Sequence, residues 1–396
     1  MTTSLLRPAL VLGLLSCIGP FAIDMYLPAM PTIQADLGVT EQAMQGTIIA
    51  YFAAFGVAQL IYGPWADQAG RKLPLYAGVS VFLIGSVLCA LAGSIEALMV
   101  GRFVQGLGGA AVMVIPRAVI RDMHTGHQAT RLMAAIMLVI SISPFLAPLA
   151  GSGILAVADW RVIFGVLAVT AVASLALTYG LLPETLARKH RQPIDLSVMW
   201  AGAKRLLADR GFMVLTFLGG FGMASFFVFI ASASFVYAQS YGLTPTQFSL
   251  AFAVNAAGFF SSSQLAAGLG QRYGAMRMVA WAGAGFAVCT VALFAVALAG
   301  GATLVVIIAG LFAANFCLGL VIPTTMVLAL DDHGDIAGLA SSLGGTLQML
   351  TGGLMVALMG PFFDGTATPM LATIAICGVL AFGLTRMIPH SETIVA

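Results

Sequence analysis

Two ionisable side chains stand where such groups are costly. Asp24 lies in "FAIDMYLPAMP", Phe21 to Pro31, inside a long apolar stretch, and Arg102 opens "RFVQGLGGAA", Arg102 to Ala111, inside another. Burial makes a carboxylate hold its proton, whereas a nearby guanidinium favours the charged form, so a site balanced between them loads and releases a proton as its surroundings change. A cation at the centre of a membrane helix costs roughly 2.5–3.5 kcal/mol on insertion scales. The chemistry on offer is reversible protonation in an apolar setting. There is no H-E-x-x-H, no G-x-S-x-G and no intramembrane pair of aspartates, so an enzyme is not expected. His124 and His127 form a pair without further ligands, and no metal is assigned to them.

The elements that must position these groups are membrane spans. The chain has 396 residues, 60% hydrophobic and 8% charged, with a mean hydropathy of +1.02, against roughly 25% charged residues in soluble domains. Apolar runs of about 20 residues occur twelve times, at 8–32, 43–63, 74–93, 97–117, 131–157, 161–182, 211–238, 246–268, 276–299, 302–330, 337–361 and 367–388. The first is long and lacks a clean small-x-small cleavage site, so it reads as a span rather than a signal peptide. Fifteen of the seventeen Lys and Arg fall on the side shared by the N-terminus and the even-to-odd loops, leaving Arg161 opposite and Arg102 within a span. By the positive-inside rule both termini are cytoplasmic, which requires an even number of spans. A net charge of +2 gives no reason to expect nucleic acid as a partner. The five cysteines all fall within spans and suggest no disulfide framework.

The longest polar interval, Pro183 to Arg210, follows the sixth span and divides the chain into a six-helix bundle (1–182), a cytoplasmic linker (183–210) and a second six-helix bundle (211–396). In the linker, Leu196, Met199, Trp200, Ala203, Leu206 and Leu207 recur at helical spacing, as in a surface helix. The halves look like distant repeats: "GPWADQAGRK", Gly63 to Lys72, and "AGLGQRYGAMR", Ala267 to Arg277, fall in equivalent loops, with Gly70 opposite Gly274. Parallel six-span repeats place a substrate cavity at their interface near mid-bilayer.

Three motifs sharpen this. In "GPWADQAGRK", Gly63 and Gly70 allow a tight turn while Asp67, Arg71 and Lys72 offer charge pairs, and the loop resembles the G-x-x-x-D-x-x-G-R-K/R loop of the major facilitator superfamily. That resemblance implies a latch between the halves, with Asp67 beside the N-terminus of span eleven near Asp335 and Ile336, where a helix dipole favours an anion, and Arg71 paired with Asp122. In "RFVQGLGGAA" the small residues suit close helix packing, and the segment resembles the R-x-x-q-G motif of proton-coupled members, implying a coupling role for Arg102. "SPFLAPLAGSG", Ser143 to Gly153, carries helix-kinking Pro144 and Pro148 with Gly151 and Gly153, and resembles the antiporter motif G-x-x-x-G-P-x-x-G-G, with Ser143 and Ala147 where glycines are commoner. "IDMYLPAMP", "QLIYGPWAD", "RDM", "FLAPLAG", "PETL", "RQP" and "AGLASSLGGTLQ" together resemble the bicyclomycin-resistance (Bcr/CflA) subfamily of drug/proton antiporters over nearly the whole chain.

The resemblance implies an all-α integral membrane fold of twelve helices in two bundles. The implied activity is proton-coupled export of amphipathic drugs by alternating access, with protons as coupling ion and no cofactor, from a monomer in a bacterial inner membrane. The alternative is uptake or facilitated transport of a small metabolite on the same fold. Asp24 is the candidate proton site, tuned by Arg102. Pro28 and Pro31 keep a second placement open, in which Asp24 merely ends the helix at the outer interface. Phe21, Tyr51, Asn255, Asn315 and Gln348 are candidates to line the cavity; Gln59 and Gln264 either line it or tie helices together.

Overall fold

A computed structural model describes residues 3–123, 126–191 and 193–387, with the side chains of 3–10, 126–131, 133–135, 137–139 and 190 outside the description. Among the described residues every regular element is helical: α1 (Thr3–Asp24), α2 (Met30–Leu37), α3 (Glu41–Ala69), α4 (Lys72–Ala90), α5 (Ile95–Met123), α6 (Gly126–Leu155), α7 (Arg161–Leu181), α8 (Leu196–Ala208), α9 (Arg210–Tyr241), α10 (Pro245–Tyr273), α11 (Ala275–Leu298), α12 (Leu304–Asp331), α13 (Ala337–Met359) and α14 (Ala367–Thr385). Helices satisfy their own backbone groups, as lipid requires. Apart from α2 and α8, all have 19 residues or more, which matches the twelve runs of the sequence. Ten helical stretches are apolar enough to span on length and composition, together with a shorter one, Ile140–Leu155 of α6. The remaining long helix, α10, contains Ser261, Ser262 and Ser263, whose hydroxyls donate to carbonyls of their own helix. His124 lies outside the described residues, as does the side chain of His127.

Helices overrun the apolar runs at the charged end. α3 extends to Ala69 rather than 63 and α5 to Met123 rather than 117, because the added turns still bury a face, at Ala66 and at Val119 and Ile120. The first span departs most from expectation. It runs past residue 32 to Leu37 and is broken within: α1 ends at Asp24, a 3₁₀ turn follows at Leu27–Ala29, and α2 continues. Pro28 lacks the N–H that would bond the Asp24 carbonyl, and the Met30 N–H bonds Leu27 O in a tighter turn. Tyr26, Leu27, Ala29 and Met30 are fully buried. Asp24 therefore does end a helix, at a break inside the Val11–Leu37 stretch and not at its end.

The repeat is visible in the backbone. Gly70 and Gly274 both adopt positive φ, 92° and 86°, and at the same chain offset Gly38 and Gly242 do so at 63° and 65°. Thr40 and Thr244, again at that offset, cap α3 and α10 through their hydroxyls. The halves meet along α3 with α13 and α6 with α10. There Thr346 Oγ1 donates to Gly56 O at 2.6 Å and Ser249 Oγ to Pro148 O at 2.9 Å. At the end away from the basic loops they are closed: Phe52 stacks on Phe227 with centroids 3.8 Å apart, and Gln239 Nε2 donates to Glu41 Oε1 at 2.9 Å. In the linker, α8 is capped by Asp195, which accepts from the Ser197 and Val198 N–H groups. It packs on α13, and Arg205 pairs with Asp335 at 2.6 Å.

Candidate functional site

The break in the first span carries the acid. Asp24 is 5% exposed, and Ser143 Oγ of α6 reaches its Oδ2 at 3.5 Å. Two turns further along α6, a Cβ added to Gly151 would fall 2.2 Å from the Met25 carbonyl oxygen. Only a residue without a side chain lets α6 lie this close. Pro144 and Pro148 sit within α6, and the Pro148 carbonyl accepts the Ser249 hydroxyl of the other half. The motif helix thus touches the Asp24 break with one face and the opposite half with another.

Arg102 is fully buried and does not snorkel. Its Nη1 donates to Ala22 O at 2.9 Å and to Gln105 Oε1 at 2.5 Å. Its guanidinium lies over the rings of Tyr26 and Tyr51, 4.7 and 4.4 Å from their centroids, a cation held between two π faces. Gln105 passes the chain on to Ser86 Oγ at 2.9 Å, which donates to Phe82 O. Tyr26 OH bonds Thr47 Oγ1 at 2.7 Å. Arg102 and Asp24 do not form an ion pair within 4 Å. Arg102 instead reaches the acid's helix through the carbonyl of Ala22, two residues before Asp24. Gly106 and Gly108 allow this tight seat, since added Cβ atoms would meet Tyr51 O at 2.4 Å and Phe82 N at 2.2 Å.

In the loop between α3 and α4, Arg71 pairs with Asp67 at 2.5 Å and with Asp122 at 2.7 Å, the latter as the sequence led one to expect. Thr185 donates to Asp122 as well, at 3.1 Å. Gly70 alone makes the turn; Gly63 lies inside α3 with open space at its Cβ position. Asp67 is not paired across to span eleven: its side chain is 57% exposed, and Asp335 is held by Arg205. Glu184, just beyond α7, accepts the backbone N–H groups of Arg71 at 2.9 Å and Lys72 at 3.1 Å.

At this charged end the halves part around a cavity of about 800 Å³, bounded by Gln59, Gly63 and Asp67 of α3, Met113, Arg117 and Arg121 of α5, Val198 and Met199 of α8, Met326 of α12, and Ser341, Ser342 and Gly345 of α13. None of Phe21, Tyr51, Asn255, Asn315 and Gln348 bounds it. Tyr51 faces Arg102, Asn255 and Asn315 are buried among helices, Phe21 packs against the larger apolar core, and Gln348 borders a separate small void beside Thr216 and Thr325. Polarity or ring type within a span does not report which end of the seam is open. Neither Gln105 nor Glu184 stands out as an individual residue in the sequence. Gln105 lies three residues after Arg102, within reach on one helix face, and Glu184 lies in the "PETL" stretch.

Comparison with known proteins agrees with this geometry. The family model of the Major Facilitator Superfamily matches residues 12–356. An uncharacterized MFS-type transporter YdgK of Bacillus subtilis is 33% identical over 386 residues, 96% of this chain and 95% of that protein. A bicyclomycin resistance protein homolog of Haemophilus influenzae is 30% identical over 381 residues, 94% of this chain and 93% of that one. A D-xylose-proton symporter of known structure superposes with a TM-score of 0.77 over 98% of both chains at 16% identity, a likeness of fold. Twelve long helices among the described residues in repeated halves, the Asp67–Arg71–Asp122 cluster and these matches make the chain a multi-pass transport protein, not an enzyme, and a member of the Major Facilitator Superfamily.

Proposed function

We propose that this chain exports amphipathic small molecules from the cytoplasm of a bacterium in exchange for protons, as a monomer in the inner membrane. The observation that carries the reading is the placement of Asp24: a buried carboxylate at a helix break, touching Ser143 of the antiporter-like helix α6, in a chain whose cavity lies at the basic end. The drug-resistance name of the Haemophilus influenzae relative supports the substrate class. The bundles rock about the α3–α13 and α6–α10 seams so that the cavity faces each side in turn. Asp24 takes a proton from the outer side and gives it up toward the cytoplasm. Because Ser143 and Gly151 share α6 with the Ser249 contact, a change of charge at Asp24 acts on a helix that spans the seam. Arg102 holds the first span in register through Ala22. The Asp67–Arg71–Asp122 cluster steadies the basic face, and Asp67, free of the second half here, meets α13 when that face closes.

A resistance and efflux panel in a strain lacking its own pumps identifies the compounds moved. Inverted vesicles then give the direction. Substrate accumulation on acidifying their lumen supports export, whereas uptake into intact cells on an inward proton gradient, with no accumulation in inverted vesicles, supports the import alternative.

A further inference from the structure

Six charged residues line the cavity: Asp67, Arg71, Arg117, Arg121, Asp122 and Asp195. All three acids are engaged. Asp67 and Asp122 hold Arg71, and Asp195 accepts the first N–H groups of α8. Arg117 and Arg121, one turn apart on α5, have no hydrogen-bond or ion-pair acceptor among the described residues. Like charges at this spacing repel on a helix, and both side chains offer the cavity donors that no acceptor among the described residues takes up. The same cavity is lined by Met113, Met199 and Met326, long unbranched side chains that adapt to varied apolar shapes. The volume, about 800 Å³, lies in the range of sites that enclose drug-sized ligands, roughly 300–1,000 Å³.

We propose that Arg117 anchors an acidic head group, so that the favoured substrates are amphipathic organic anions whose carboxylate or sulfonate meets its guanidinium while the apolar body lies against the three methionines. This rests on the cavity being the export pathway. A guanidinium presents a planar fork of donors to an anionic group. Arg121, one turn nearer the basic surface, adds to the field that draws anions in. Cationic amphipaths meet the guanidinium groups of Arg117 and Arg121, which no carboxylate among the described residues pairs, and bind more weakly. Asp24 is not part of the cavity lining, so the substrate charge and the coupling proton occupy separate places and communicate through the helices.

The test uses two probes with one apolar skeleton: 8-anilinonaphthalene-1-sulfonate, an anion, and neutral N-phenyl-1-naphthylamine. Binding is measured by fluorescence on the full chain in lipid nanodiscs against empty nanodiscs, for wild type, Arg117→Gln and Arg117→Lys. The expected result is that Arg117→Gln weakens the anion about tenfold and the neutral probe by less than about twofold, with Arg117→Lys in between, and that salt weakens only the anion. Unchanged anion binding in Arg117→Gln, or equal loss of both probes at an unchanged unfolding temperature, overturns the proposal. Should Arg117→Gln fail to fold, the wild-type salt series decides: anion binding indifferent to salt overturns it. Proton-driven accumulation of both probes is followed in inverted vesicles in parallel. Arg117-dependent anion binding without accumulation of either probe upholds the anion site and overturns the export reading instead; accumulation of the neutral probe with no preference for the anion does the reverse.

Discussion

Gly151 faces Met25 so closely that a single added carbon would lie 2.2 Å from the Met25 carbonyl oxygen. The contact joins the antiporter-like helix α6 to the break in the first span, one residue past Asp24. It explains in steric terms why a glycine stands there.

Gly151→Ala therefore forces α6 away from the break, with an overpacking cost of about 1–3 kcal/mol. Gly153, on the same helix, has nothing within 4 Å of its Cβ position, so Gly153→Ala is the matched control. Thermal unfolding of the purified variants should show a loss for the first and little change for the second. Equal behaviour of the two would contradict the packing assigned to Gly151.

The seat of Arg102 depends on ring faces more than on hydroxyls. Tyr51→Phe keeps the face and loses only a 3.4 Å bond to Gly19 O, so it should be mild. Tyr51→Leu removes a desolvated cation–π contact worth about 2 kcal/mol. Arg102→Lys keeps the charge but loses the planar stack between Tyr26 and Tyr51, and should behave as a non-conservative change. Unfolding midpoints for the three variants check the order; Tyr51→Phe proving as damaging as Tyr51→Leu would refute it.

Glu184 clamps the loop between α3 and α4 and confers a pH dependence. Burial pushes its carboxyl up, but the backbone N–H groups of Arg71, Leu186 and Lys72 and the charge of Arg191 outweigh this and hold it below the ordinary glutamate value. A carboxyl depressed in the folded state stabilises it above the unfolded pKa, and the contribution is lost as pH falls through the folded value. Wild type should lose more unfolding temperature than Glu184→Gln between about pH 6 and about pH 3, the window that runs from above the unfolded pKa down through the depressed folded one. Parallel curves would show that Glu184 contributes nothing through its charge.

Much of this was legible before any coordinates. Apolar runs separated by charge specify twelve helices because lipid leaves the backbone few alternatives, and the Arg71–Asp122 pair is what the resemblance of the Gly63–Lys72 loop to the superfamily motif implies. What stayed hidden depends on contacts between distant segments. The continuation of the first span to Leu37 was obscured by Pro28 and Pro31, which read as a stop, yet buried packing of Met25, Tyr26 and Met30 carries the chain through. The sequence names Arg102 as the group that tunes Asp24 but not what its guanidinium touches. Its contacts are the aromatic faces of Tyr26 and Tyr51, the amide of Gln105 and the Ala22 carbonyl, all from segments distant in the chain or one turn away. The cavity was the least legible part, because its walls come from four helices of the bundles and the linker helix, and because only one end of the seam is open.

The central claim is that Asp24 carries the coupling proton. The most direct measurement compares wild type with Asp24→Asn in proteoliposomes, using a substrate identified by the efflux panel, for both equilibrium exchange and accumulation driven by an acid lumen. Asp24→Asn should still exchange substrate at equilibrium, since the cavity and its lining are untouched, but should fail to accumulate it against a gradient. Accumulation by Asp24→Asn to the wild-type level, still abolished when the proton gradient is collapsed, would show that the proton travels by another residue.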